Sequence, residues 1–125
     1  METGGGASPA EIGRAAEDRA LVLLQQAGLR LLERNFRCRL GEIDLVMRDG
    51  TTVVFVEVRQ RRSSRFGSAA ESVSASKLRR VRAAAELWLR RSRCNSRARI
   101  DVVTLDGGLE DDPMIRWIRS ADTQE

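Results

Sequence analysis

Residues 41–61 read GEIDLVMRDGTTVVFVEVRQR. Two strand-like runs flank Asp49-Gly50, a dipeptide that marks a two-residue hairpin turn. With those residues as the turn, counting outward sets Arg48 against Thr51, Val46 against Val53, Asp44 against Phe55 and Glu42 against Glu57. Alternation then puts Ile43, Leu45, Met47, Val54, Val56 and Val58 on one wholly apolar face. The other face carries Glu42, Asp44, Val46, Val53, Phe55, Glu57 and Arg59. Asp44 and Glu57 become diagonal neighbours, about 7–8 Å apart at the backbone and closer at their tips, within reach of a shared metal ion. Glu42 directly opposed to Glu57 is destabilising unless a cation lies between them. The alternative is that Arg59 and other arginines neutralise the acids as ordinary surface pairs.

Outward from the hairpin, the flanks alternate between helix and strand patterns. Ser8-Pro9-Ala10-Glu11 is a capping box with proline in the first helical position. Ile12, Ala16, Ala20, Leu23, Leu24 and Ala27 follow at helical spacing, and Gly28 stops the helix. LRLLERNFRCRL predicts a strand to about Asn35 and then a basic connection. After the hairpin, SSRFGSAAESVS reads as a loop. A second helix is expected from about Ala75 to Arg93, burying Leu78, Val81, Ala85 and Trp88. ARIDVVTLDGG predicts a strand and MIRWIRS a short final one. The order is α-β-β-β-α-β(-β), an α/β fold with a mixed sheet flanked by helices. Its 125 residues fit one domain over 9–120, with tails at 1–8 and 121–125.

Composition narrows the chemistry. Histidine is absent, which removes His-based triads, His general bases and His-ligated metals. Any bound metal would sit on oxygen ligands, favouring hard ions such as Mg²⁺ or Mn²⁺. Cys38 and Cys94 form no CxxC pair, so neither a disulfide framework nor a zinc site is indicated. No apolar run is long enough to span a bilayer or to form a signal peptide, so no membrane partner and a cytoplasmic location are expected. From Arg59 to Arg99 there are 13 basic residues and only two acids, Glu71 and Glu86. Such clustering suits a polyanion, nucleic acid first among them. Tyrosine is absent, so a base-stacking platform is poorly supplied.

Further residues fit the hairpin acids. Glu17 lies at the edge of the first helix's apolar face and is either a further acid of the site or a half-exposed helix glutamate. Lys77, in the first turn of the second helix with Ser74 and Ser76, is either a phosphate contact or a solvated lysine. Asp101 sits among apolar strand residues, buried and paired in an open role.

GRAAED, LLERNFRCRLGEIDLVMRDG, FVEVRQRR, FGSAAESVSASK and RIDVV together resemble the YraN-like proteins of bacteria, from about Glu11 to Ile118. The resemblance implies the restriction-endonuclease-like fold of the PD-(D/E)xK nucleases and the archaeal Holliday-junction resolvases. Carried over, Asp44 is the motif aspartate, Glu57 its paired acid and Arg59 stands in the lysine position. Ile43 stands where the motif name has proline, and Glu17 matches a first-helix glutamate. The implied activity is Mg²⁺- or Mn²⁺-dependent phosphodiester hydrolysis, with Asp44 and Glu57, and more weakly Glu17 and Glu42, as metal ligands. An arginine at 59 cannot act as a base at neutral pH, though it can hold a phosphate. Resolvase-like enzymes act as dimers, so a homodimer is compatible with the resemblance.

Three functions follow as expectations. The first is a nucleic-acid-binding endonuclease, DNA more than RNA, with Arg61, Arg62, Arg65, Ser74, Lys77 and Arg80 on the phosphate backbone. The second is a binding module that keeps the fold without turnover. The third is an assembly partner whose arginines meet an acidic protein, with binding indifferent to phosphate polymers.

Overall fold

The computed structural model describes residues 8–63 and 67–123, with side-chain placement to residue 122. Helix α1 (Pro9–Gln26) begins at the expected box: Ser8 accepts from the Glu11 N–H while Glu11 reaches back to the Ser8 N–H. Three strands follow, β1 (Arg30–Cys38), β2 (Gly41–Asp49) and β3 (Thr52–Arg61). Helix α2 (Ala75–Arg91), β4 (Ala98–Asp106) and β5 (Met114–Ile118) complete the chain. Ala121–Thr123 adds a 3-10 turn within the segment expected as a tail, fastened by Arg82 to Asp122 at 2.6 Å.

The five strands form one sheet in sequence order, antiparallel except for β3 and β4. That parallel pair requires a crossover, which α2 supplies. Two cores lie on opposite faces of the sheet. Ala16, Ala20 and Leu24 of α1 pack on Leu45, Met47, Val54, Val56, Val58, Val103 and Leu105. Val81, Ala84, Ala85 and Trp88 of α2 pack on Phe36, Ile43, Val46, Val53, Phe55 and Ile100. The hairpin strands are therefore buried on both sides, which explains why their polar-looking face also carries valines and a phenylalanine.

Four expectations need correction. The turn residues are Gly50 and Thr51, since Asp49 pairs with Thr52. Gly50 has φ of 62° at the first central position, where type II′ turns carry glycine. The register thus moves by two, and Val46 faces Phe55 rather than Val53. Ile43 belongs to the α2-side core rather than joining Leu45. Alternation breaks at Asp44, where the β1–β2 ladder skips one pair and Asn35 takes φ of 54°. β1 continues past Asn35 to Cys38, because that stretch still pairs with β2. α2 closes at Arg91, two residues early, and Arg93 has left the helical region with φ of 50°.

Candidate functional site

Pairing of β2 with β3 ends at Leu45 and Val56. One step further, Asp44 stands opposite Glu57, and its side chain replaces the lost ladder bond by accepting the Val58 N–H at 2.7 Å. The strands part there and open a cavity of about 890 Å³ between the first turns of α1 and α2. Asp44 and Glu57 form part of its lining, and Glu57 is only 5% exposed.

Two carboxyls so placed cannot both hold their charge cheaply. Burial, then the neighbouring charge of Glu57, pushes Asp44 up to about 7. Burial also raises Glu57, opposed by the Arg59 guanidinium and by the hydrogen bond from Asp44. Around neutral pH Asp44 therefore still holds much of its proton, beside Glu57. Arg59 Nε lies 3.4 Å from Glu57 Oε2, too poorly aligned to hydrogen-bond, and that buried nitrogen has no other partner.

Glu17, Glu42, Arg59, Arg62, Lys77 and Arg80, all expected at a site, line the same cavity. Glu17 is raised by burial and then by the charge of Asp44, while Arg34 holds it at 3.5 Å. Glu42 is largely exposed and faces Arg37 across the β1–β2 ladder, 3.8 Å away. Neither joins the central pair: among the described residues no three acidic or cysteine side chains gather into a metal cluster. Arg62 reaches Glu110 at 3.7 Å. Arg61 and Ser74 do not line the cavity, and Ser74 caps α2 by accepting the Lys77 N–H. Arg65 falls outside the described residues.

Two residues at the cavity carried no functional expectation. Arg37 brings a further positive charge to the rim, visible only once the β1–β2 register is known. Gly41 lets the β1–β2 turn approach α2; a Cβ there would stand 2.9 Å from the Arg80 carbonyl oxygen. A glycine ahead of a strand was the available signal. Asp101, by contrast, lies away from the cavity. It is fully buried and accepts from Arg99, Trp117 Nε1 and the Ser120 N–H, a satisfied network that anchors the segment around β5.

The donor set fits a hard divalent cation. A half-buried Asp44 and a buried Glu57, both of raised pKa and with one guanidinium beside them, gain from any cation that takes the place of the Asp44 proton. Magnesium in particular takes one or two carboxylates and keeps several waters, so a pair is enough. Among the described residues, no helix is long and apolar enough to cross a membrane.

Residues 16–105 match the model of the uncharacterised protein family UPF0102. A UPF0102 protein of Alkalilimnicola ehrlichii is 52% identical over 115 residues, covering 90% of this chain and 87% of its own. UPF0102 proteins of Janthinobacterium sp. and Nitrosomonas europaea are 48% and 49% identical over 109 residues. Each of these covers 87% of this chain, and 85% and 91% of the respective relative.

Proposed function

We propose, since the chain belongs to the uncharacterised protein family UPF0102, that it binds nucleic acid and hydrolyses phosphodiesters at Asp44 and Glu57 with Mg²⁺ or Mn²⁺. One observation carries the reading. A mutually repelling carboxyl pair, Glu57 buried and Asp44 half-buried, sits in a cavity ringed by Arg37, Arg59, Arg62, Lys77 and Arg80. Bare carboxylates repel a phosphate; basic side chains around them attract one. Both together suit a polyanion that must meet a cation. The element order is the one expected from the sequence pattern, while DNA as the preferred substrate and a homodimer rest on the resemblance alone.

Asp44 and Glu57 would hold the cation, and Asp44 would give up its proton to do so. When bound, the metal supplies Lewis-acid stabilisation of phosphate charge and a more acidic water. The Val58 N–H fixes Asp44, and Arg59 steadies Glu57. In the reaction, a water oxygen bonds to phosphorus and one ester P–O bond breaks. One water proton ends on the departing oxygen. The phosphomonoester keeps the other or releases it to solvent.

The test is a panel of branched, nicked, duplex and single-stranded substrates with Mg²⁺ and with Mn²⁺. Metal-dependent cleavage by wild type, lost in Asp44→Asn and Glu57→Gln, is expected. An intact panel in both metals refutes catalysis. One observation favours a second reading, a non-catalytic nucleic-acid-binding module: Arg59, in the lysine position, is engaged by Glu57. That reading predicts salt-sensitive binding with no product.

A further inference from the structure

The chain contains one lysine among 21 arginines, and that lysine lines the acid cavity. Ser74 Oγ accepts the Lys77 N–H and the Ser74 carbonyl accepts from Leu78, so the first turn of α2 is fixed. Val81, four residues on and 2% exposed, is packed in the α2-side core. Residues four apart share a helix face, and side chains lean toward the helix N-terminus. Lys77 therefore projects from the sheet-facing side of α2, past the last core residue and over the end of the sheet. Gly41 seats closely against Arg80, in the next turn of α2.

Charge assignment separates Lys77 from Arg37, Arg59 and Arg62. Arg59 lies against Glu57, Arg62 against Glu110 and Arg37 against Glu42. Among the described residues the Lys77 ammonium makes no ion pair, and neither does the Arg80 guanidinium, which is exposed where Lys77 is half-buried. An ammonium is a compact charge with three donors on a flexible stem, able to follow a phosphate oxygen as its geometry changes. The planar guanidinium of Arg59, drawn toward Glu57, has less such freedom.

We propose that Lys77, rather than Arg59, binds a non-bridging oxygen of the phosphodiester held at Asp44 and Glu57. This deepens the phosphodiesterase reading and rests on it. The arginine at 59 then serves as a positioning residue for Glu57, and the direct contact to the reacting phosphate comes from α2.

Because lysine occurs once, its modification is a single readout that needs no turnover. The intact protein is treated with an amine-acylating reagent, with and without a short DNA duplex and Mg²⁺, and the Lys77 peptide is followed by mass spectrometry. With duplex at about ten times its Kd, acylation of Lys77 is expected to slow roughly tenfold. In the cleavage assay, Lys77→Ala is expected to lower kcat about 100-fold, the scale of losing one donor to developing charge, while Kd changes less than about threefold. Lys77→Arg, which keeps the charge but not the compact ammonium, is expected to recover only part of the kcat lost in Lys77→Ala, and the near wild-type Kd of Lys77→Ala itself shows that the variant is folded. Lys77 acylated at an unchanged rate while the duplex is bound overturns the proposal, as does wild-type kcat in Lys77→Ala. Protection of Lys77 without cleavage by any form keeps the phosphate contact and removes the phosphodiesterase reading. No duplex binding at all removes both.

Discussion

Replacing Asp44 by asparagine should stabilise the protein above neutral pH. Asp44 is raised from an ordinary 3.8 to about 7 by burial and by Glu57. The native state then holds its proton more tightly than the unfolded chain does. Stability from such a group is fully present below about pH 4, and is lost as pH rises through the folded value near 7. Three pH units at about 1.36 kcal/mol each set an upper bound on the order of 4 kcal/mol at pH 8, shared with Glu57 because the two titrate together. Asparagine keeps an oxygen for the Val58 N–H while removing the charge. Urea unfolding at pH 5 and pH 8 measures the effect. Wild type should lose a few kcal/mol between the two, and Asp44→Asn should lose less. With slopes of about 1–3 kcal/mol/M, the variant's midpoint at pH 8 should exceed wild type by about 1 M or more. An Asp44→Asn protein less stable than wild type at pH 8, or wild-type stability that rises from pH 5 to 8, refutes the reasoning.

Other predictions follow from the same structure. Mn²⁺ at about 100 times its Kd should return roughly 2.7 kcal/mol to wild type at pH 8 in the same urea assay and nothing to Asp44→Asn. Glu57→Gln should weaken Mn²⁺ binding at least tenfold by isothermal titration, and undiminished binding would place the ion elsewhere. Gly41→Ala should destabilise by about 1–3 kcal/mol, because its Cβ meets the Arg80 carbonyl; calorimetry reads this as a lowered Tm. Asp101→Ala should cost about 1–3 kcal/mol by stranding the Trp117 N–H and leaving Arg99 with Asp49 alone, and tryptophan fluorescence should report the freed β5 before global unfolding.

The expected faces of the hairpin survived an error in its turn, because a shift of two residues leaves alternation untouched. Choosing Asp49-Gly50 over Gly50-Thr51 misplaced every cross-strand partner, yet Asp44 and Glu57 still met, more directly than expected. The fate of Ile43 was not legible. It depends on the local break opposite Asn35, which arises only when β1 pairs with β2. The restraint of Glu17 and Glu42 was hidden for a similar reason, since Arg34 and Arg37 come from β1 and reach them through tertiary packing. Lys77 was legible as a cation at a helix start. Its place at the acids depended on the path of the crossover helix.

The bond from the Val58 amide to Asp44 gives the site an internal spectroscopic probe. An amide proton shared with a carboxylate shifts resonance when that carboxylate gains or loses its charge. A pH series of nitrogen–proton correlation spectra would therefore follow the acid pair through this one backbone signal, with no label placed in the cavity. The same resonance would register a divalent cation displacing the Asp44 proton, and would tell an occupied pair from an empty one before any substrate is known.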